Sequence, residues 1–99
     1  ERKPLLVDFY ASWCAACIQL DTITLNSALV AAHLRDFVTV RLDFSRSTLE
    51  GSAAARRYQV VGLPCVLFLD HEGREFEGLR VTGFITPEEM ASHLERARR

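Results

Sequence analysis

Cys14 and Cys17 are the residues whose type and spacing point most directly to chemistry, because they form a Cys-x-x-C pair. A short apolar run, 5–10, precedes them, and a helical pattern starts at about Cys14. The Cys14 sulfur would then lie near the unpaired N–H groups of the first helical turn, which favour a nucleophilic thiolate. Cys17, one turn further along, could close a disulfide with Cys14 or resolve a mixed disulfide. The pattern predicts a thiol–disulfide exchange site.

A zinc site is the alternative interpretation of a cysteine pair. Structural zinc is usually held by about four ligands, and no second Cys or His pair stands at ligand spacing. His33, His71 and His93 are scattered along the chain, and we expect them at the surface. The remaining cysteine, Cys65, begins an apolar run and is interpreted as a small buried hydrophobic residue. We therefore predict no metal site.

The elements that must position the pair follow in the order β-α-β-α-β-β-α. Alternating or continuous apolar runs predict strands at 5–10, 37–42 and 65–70, and another within 75–82. A reversal at 70–73 joins the last two strands. The first strand is apolar enough to be central and covered on both faces. We predict an α/β fold with a small mixed sheet and helices on both of its faces.

Capping residues mark where the predicted helices begin. The helical pattern from about Cys14 is interrupted at 24–27, where Asn26 or Ser27 could cap a second helix. Ser47 or Thr48 is expected to cap the next helix, which runs to about residue 58. The last helix is expected to follow a cap at Thr86 and to end at about residue 97.

Composition limits the other classes of function. The 99 residues are 48% hydrophobic and 25% charged, as expected of one globular domain. Twelve basic and thirteen acidic residues give a net charge of −1, which offers no electrostatic footprint for nucleic acid or a membrane surface. No apolar run approaches the ~20 residues of a membrane span. Because the chain opens without Met directly into a strand, we expect a domain excised from a longer protein.

Two segments carry a family resemblance. The run Val7-Asp8-Phe9-Tyr10-Ala11-Ser12-Trp13-Cys14-Ala15-Ala16-Cys17, with Gly62-Leu63-Pro64 later in the chain, resembles the thioredoxin superfamily over nearly the whole sequence. Within it, the chain resembles most the C-terminal thioredoxin-like domain of the DsbD family of thiol:disulfide interchange proteins. The features behind this narrower resemblance are the two alanines between the cysteines, Asp21 after the pair, and Arg80-Val81-Thr82-Gly83-Phe84 before the last helix.

The resemblance implies a thioredoxin fold and roles for individual residues. Cys14 would be the attacking thiol and Cys17 the resolving one, with their disulfide as the redox centre and no bound cofactor. Pro64 would be a cis-proline beside backbone that pairs with an extended partner segment. Cys65 departs from the family, in which Thr is commoner after that proline. The implied partner surface consists of Trp13, Ala15, Ala16, Leu63 and Pro64. Trp13 could equally be a packing residue.

Two acidic residues are candidates for tuning the thiols. Asp8 interrupts the apolar run of the first strand, and an unpaired buried charge is costly, so we interpret it as a functional acid. The resemblance places it beneath the active site, and it places Asp21 where the family carries Glu. A nearby carboxylate disfavours a second negative charge. We therefore expect both acids to oppose formation of the thiolate.

The resemblance also implies partners and a location. The domain would lie in the bacterial periplasm as part of an inner-membrane reductase. It would take electrons from the membrane domain of the same protein and pass them to its N-terminal domain, acting as a monomer on protein thiols and disulfides. A free thioredoxin or a cytochrome-c-maturation reductase is an alternative within the class. An alternative from another class is a redox-inert adaptor that binds peptides.

Overall fold

The computed structural model describes residues 2–46 and 49–98, which form a four-stranded mixed sheet with helices on both faces. The strands are β1 (Leu5–Tyr10), β2 (Val38–Asp43), β3 (Cys65–Leu69) and β4 (Val81–Thr82). Their order across the sheet is β2-β1-β3-β4. β1 runs parallel to β2 and antiparallel to β3, and β3 is antiparallel to β4. The predicted order of elements and the central position of β1 are confirmed.

The helices are α1 (Ala15–Gln19), α2 (Ala28–Leu34), α3 (Leu49–Arg57) and α4 (Pro87–Ala97), with a π-helical segment at Leu20–Leu25 that continues α1. The interruption of the helical pattern predicted at 24–27 corresponds to the break between that segment and α2. Ser27 is the cap, since its Oγ accepts a hydrogen bond from the N–H of Val30 at 3.2 Å. The π-helical segment itself was not predicted.

The ends of the other helices test the remaining caps. Thr86 and Glu89 form a capping box before α4: Thr86 Oγ1 accepts from the N–H of Glu89 at 3.2 Å, and Glu89 Oε1 accepts from the N–H of Thr86 at 2.9 Å. The cap predicted there is confirmed. The cap predicted for α3 at Ser47 or Thr48 lies outside the described residues.

The strand predicted within 75–82 is present as a short strand of two residues. Only Val81–Thr82 pairs as β4, and Glu75 makes one isolated bridge to Leu69. Between them Gly78 has φ of +78°, a left-handed conformation outside the extended region that a strand requires. The reversal at 70–73 is confirmed, because the N–H of Gly73 donates to the carbonyl of Asp70 at 3.0 Å.

Apolar side chains cover both faces of the sheet. On one face Leu6, Val66 and Phe68 pack under the π-helical segment, α2 and α4; on the other, Phe9 and Leu67 pack under α3. Full burial of such a side chain contributes about 1.5–3 kcal/mol. The two layers fix the position of β1, whose C-terminal end leads into the cysteine pair.

The surface position predicted for the histidines is wrong for His93. Its side chain is partly buried, with the ring centroid 5.9 Å from that of Phe68. Its Nδ1 lies 2.7 Å from the carbonyl oxygen of Leu79. The sequence did not reveal this because the contact depends on which face of α4 meets the sheet.

No single helix within residues 2–46 and 49–98 has the length and apolar composition to cross a membrane. One bent pair, Ala15–Leu25 with Ala28–Leu34, meets those two criteria together, at an angle of 83°.

Candidate active site

Cys14 and Cys17 meet at the start of α1. Cys14 has extended backbone, φ −96° and ψ 106°, and caps the helix. Its Sγ accepts a hydrogen bond from the backbone N–H of Cys17 at 3.2 Å. Both cysteines are free thiols. The spacing thus brings the two residues together within one turn, as predicted, and gives the Cys14 sulfur a donor that stabilises negative charge.

The two thiols differ in exposure, and the pKa of Cys17 is raised. Cys14 is 9% exposed and Cys17 only 3%, so both are buried and Cys14 is the more accessible. Burial, and then the hydrogen bond with Cys14, raise the pKa of Cys17 to about 12. Cys17 therefore keeps its proton at neutral pH and needs a change in its surroundings before it can act as a nucleophile.

Asp8 lies buried in β1, as predicted, and its carboxylate is paired with a cation. Arg41 is opposite Asp8 in the register of β1 and β2. The Arg41 Nε and Nη2 atoms donate to Asp8 Oδ2 at 3.2 and 2.9 Å. Burial raises the pKa of Asp8, and the bond and charge of Arg41 act in the opposite direction.

Arg41 also contacts the second candidate acid. Its Nη2 donates to Asp21 Oδ1 at 2.5 Å, and its guanidinium carbon lies 4.1 Å from the centroid of the Tyr10 ring. Arg41 thus joins β1, β2 and the π-helical segment. The sequence alone did not indicate a role for this residue. The alternation of 37–42 placed it in a strand, but only the register of β2 against β1 sets it beside Asp8.

The residues of the predicted partner surface lie on both sides of the cysteines. Trp13 is 69% exposed, so it does not pack in the core. Ala15 is exposed and Ala16 partly buried. Leu63 packs against the cluster that contains both cysteines. The bond from Leu63 to Pro64 is cis, as the resemblance implied.

A groove of about 390 Å³ runs beside Trp13. Its other lining residues are Phe44, Ala55, Val60, Val61, Gly62 and Leu63. The groove is therefore bordered by the segment before Pro64 and by the tryptophan next to Cys14. The groove is thus lined by apolar side chains and backbone beside the cysteine pair.

Cys65 lies apart from the cluster of the other two cysteines. It is 2% exposed, paired in register with Phe9 on β1 and Thr82 on β4, and packed in the layer under α3. Burial raises its pKa. This environment is that of a core side chain. Within the described ranges 2–46 and 49–98, no group of three or more His, Cys, Asp or Glu side chains could hold a metal ion.

Comparisons with known proteins define the class. The Thioredoxin-like domain family matches residues 1–98. The thiol:disulfide interchange protein DsbD of Pectobacterium atrosepticum is 35% identical over 94 residues, which are 95% of this chain and 16% of that protein. The chain thus spans about a sixth of the length of the curated relatives it matches.

Two solved structures extend the likeness. The oxidised C-terminal domain of Neisseria meningitidis DsbD is 28% identical and superposes with a TM-score of 0.81, over 97% of this chain and 81% of that one. A thioredoxin from Thermus thermophilus is 30% identical with a TM-score of 0.79, over 95% of this chain and 72% of that one.

The chain belongs to the thioredoxin-like domain family, and its sheet, helices and cis-proline form a thioredoxin fold. At the start of α1 it carries two free cysteines, Cys14 and Cys17, joined by a hydrogen bond from the Cys17 N–H to the Cys14 sulfur. The fold expected from the sequence is confirmed.

Proposed function

We propose that this domain exchanges two electrons with protein dithiols through Cys14 and Cys17, as the periplasmic relay domain of a DsbD-type transmembrane reductase. One observation carries the chemical part of the proposal. The more accessible Cys14 sulfur accepts a hydrogen bond from the N–H of Cys17, and the less accessible Cys17 thiol is one turn behind it. An attacking thiol and a resolving thiol need this arrangement.

The exchange is a balanced pair of displacements. The Cys14 thiolate attacks one sulfur of the partner disulfide, which forms a mixed disulfide and releases the other sulfur as a thiolate. Cys17 then loses its proton and attacks Cys14 Sγ, which frees the second partner thiolate and leaves a Cys14–Cys17 disulfide. The partner gains two electrons and two protons, and the domain is oxidised. The redox centre is the cysteine pair itself.

The place in a relay is proposed from the relatives. Curated matches are named thiol:disulfide interchange protein DsbD, and one solved neighbour is the C-terminal domain of such a protein. By this likeness the membrane domain of the same protein reduces Cys14–Cys17, and an N-terminal domain in the periplasm accepts the electrons. The partners are protein thiols and disulfides.

Transfer to an isolated acceptor tests this proposal. The reduced domain is mixed with the oxidised N-terminal domain of the Pectobacterium atrosepticum relative, quenched with acid, and its thiols are counted by alkylation and mass spectrometry. We expect one domain to be oxidised for each acceptor reduced, and at a higher rate than with insulin as acceptor. Cys14→Ser and Cys17→Ser should both stop the transfer, and the matched variant Cys65→Ala should retain it.

Three results would point elsewhere. Equal rates with insulin and with the N-terminal domain would favour a free thiol reductase over a relay domain. No oxidation by either acceptor would favour a redox-inert adaptor. Transfer that survives in Cys14→Ser would contradict the assigned roles of the cysteines.

A further inference from the structure

Arg80 joins the β3–β4 connection to the end of α3. Its Nε and Nη2 atoms donate to the two carboxylate oxygens of Glu75 at 2.8 and 2.7 Å. Its guanidinium also donates to two backbone carbonyls, from Nη2 to Tyr58 at 2.6 Å and from Nη1 to Gln59 at 3.4 Å. The side chain is 28% exposed. One side chain thus holds one carboxylate and two carbonyl oxygens.

The two carbonyls stand where the chain leaves α3. Tyr58 and Gln59 directly follow Arg57, the last residue of α3, so the guanidinium binds the backbone just beyond the end of the helix. Gln59 has φ of 56°, a left-handed conformation that costs a residue with a side chain about 1–2 kcal/mol. The N–H of Val60 returns to the carbonyl of Ala55 at 2.8 Å. The conformation of Gln59 and these hydrogen bonds set the direction in which the chain leaves α3.

The segment that continues from this point is the docking loop, which we define as Val60–Leu63. It leads to Pro64, lines the groove beside Trp13, and packs Leu63 against the cysteine cluster. The docking loop also lines a second cleft, of about 250 Å³, which Arg80 lines as well. The docking loop therefore depends on Arg80 at its start and contacts the redox site at its end.

We propose that Arg80 is a positioning residue, which holds the docking loop in the conformation that protein disulfides need in order to reach Cys14. The inference rests on the proposed function, because it names what the loop is positioned for. A small disulfide contacts only the sulfur and does not need the loop. Arg80 should therefore matter for exchange with proteins and not for exchange with small molecules.

Arginine is required by the geometry. A planar guanidinium with five donors can bind Glu75 through two atoms and still reach the carbonyls, whereas an ammonium group has no such fork. Arg74 offers a matched control in the same connection. It is also paired with acidic side chains, Asp70 and Glu72, and its own side chain is 76% exposed.

The experiment compares two oxidants on the pre-reduced chain. Stopped-flow fluorescence of Trp13, the one tryptophan in the sequence, follows oxidation by insulin and by hydroxyethyl disulfide over a range of concentrations. For Arg80→Met we expect the half-saturating insulin concentration to rise about tenfold with little change in limiting rate, because the loop is misplaced. The rate with hydroxyethyl disulfide should stay within about twofold, since the thiols are unchanged.

Arg80→Lys should fall between wild type and Arg80→Met, and Arg74→Met should match wild type with both oxidants. If Arg80→Met does not fold, Glu75→Gln, which removes the carboxylate that orients the guanidinium, should show the same selective loss. Equal losses with both oxidants, a loss as large in Arg74→Met, or no change would overturn the role of Arg80. Failure of the wild-type chain to react with hydroxyethyl disulfide would instead overturn the proposed function.

Discussion

Arg41 on β2 pairs with Asp8 on β1, with its Nη2 2.9 Å from Asp8 Oδ2 and the two residues opposite each other in the parallel register. The same nitrogen contacts Asp21. The sequence predicted two carboxylates acting as separate negative charges near the thiols. The structure places a guanidinium between them, so the charge that reaches the cysteines is that of the whole group. Alongside burial, which is the largest cause, the charge of Asp8 still contributes to the raised pKa of Cys17, and Arg41 is paired with that charge.

Removing Arg41 should destabilise the domain. Arg41→Met leaves the buried Asp8 carboxylate without its cation, and such a loss costs about 1–3 kcal/mol. Urea unfolding at neutral pH measures the change in the free energy of unfolding. The control is Arg98→Met, which breaks an exposed pair with Asp36 and should cost clearly less than Arg41→Met, because solvent screens that pair. Equal costs for the two variants would contradict the buried pairing.

The stability contribution of Asp8 should depend on pH in a direction that its burial sets. Burial raises its pKa above the ordinary 3.8, so just above that value the folded chain binds the proton more tightly than the unfolded chain does. The contribution of this raised pKa to the free energy of unfolding is therefore fully present below pH 3.8, and it is lost as pH rises through the pKa of Asp8 in the folded chain. Relative to wild type, Asp8→Asn should gain stability across this window and then level off. Unfolding in urea at a series of pH values tests this.

The pH dependence expected for the stability contribution of Asp70 has the opposite sign to that of Asp8. The backbone N–H of Arg74 lowers its pKa below 3.8, so its contribution is present above pH 3.8 and lost as pH falls through the native value. Asp70→Asn should therefore lose stability relative to wild type at neutral pH. A profile for Asp8→Asn with the same sign as that for Asp70→Asn would contradict the assignment for Asp8.

Brief alkylation of the reduced domain should distinguish the cysteines. Cys17 is less exposed than Cys14 and has a pKa of about 12, so little of it is thiolate at neutral pH. We expect Cys14 to be modified at least about tenfold faster than Cys17, as read by peptide mass spectrometry. Cys17→Ala should keep the rapid reaction and Cys14→Ala should lose it. Similar rates at the two positions would refute the roles of attacking and resolving thiol.

Cys65 should contribute to packing and not to exchange. Its thiol is buried in the layer under α3, away from the cysteine pair, so Cys65→Ala removes one buried sulfur and leaves a small cavity. We expect a loss of about 1 kcal/mol in the free energy of unfolding, with an unchanged rate of oxidation by hydroxyethyl disulfide. A variant that folds normally but reacts slowly would place Cys65 in the chemistry.

The parts of the structure that depend on local chemistry were predictable. Ser27 and Thr86 cap their helices because a hydroxyl can bond to a nearby N–H, and this can be predicted from neighbouring residues alone. The proximity of Cys14 and Cys17 could be predicted in the same way, because their spacing in the sequence places them one helical turn apart. The cis bond at Pro64 was expected from the family and not from the residues.

Contacts between distant segments were not predictable in the same way. Arg41 reaches Asp8 through strand register, and Arg80 reaches Tyr58 through the path of the β3–β4 connection. Gly78 separates the bridge at Glu75 from β4 by adopting positive φ, which glycine permits but does not require. In each case the residue type was compatible with several positions, and tertiary packing selected one.

Trapping of a mixed disulfide tests the central claim most directly. The reduced Cys17→Ala domain is incubated with an oxidised protein acceptor and analysed by non-reducing electrophoresis and peptide mass spectrometry. Without the resolving thiol, attack by Cys14 should stop at a covalent adduct that joins Cys14 to one acceptor cysteine and that dithiothreitol releases. Cys14→Ala, with Cys17 intact, should give no adduct. The absence of an adduct in Cys17→Ala, or a bond formed through Cys65, would contradict exchange through the Cys14–Cys17 pair.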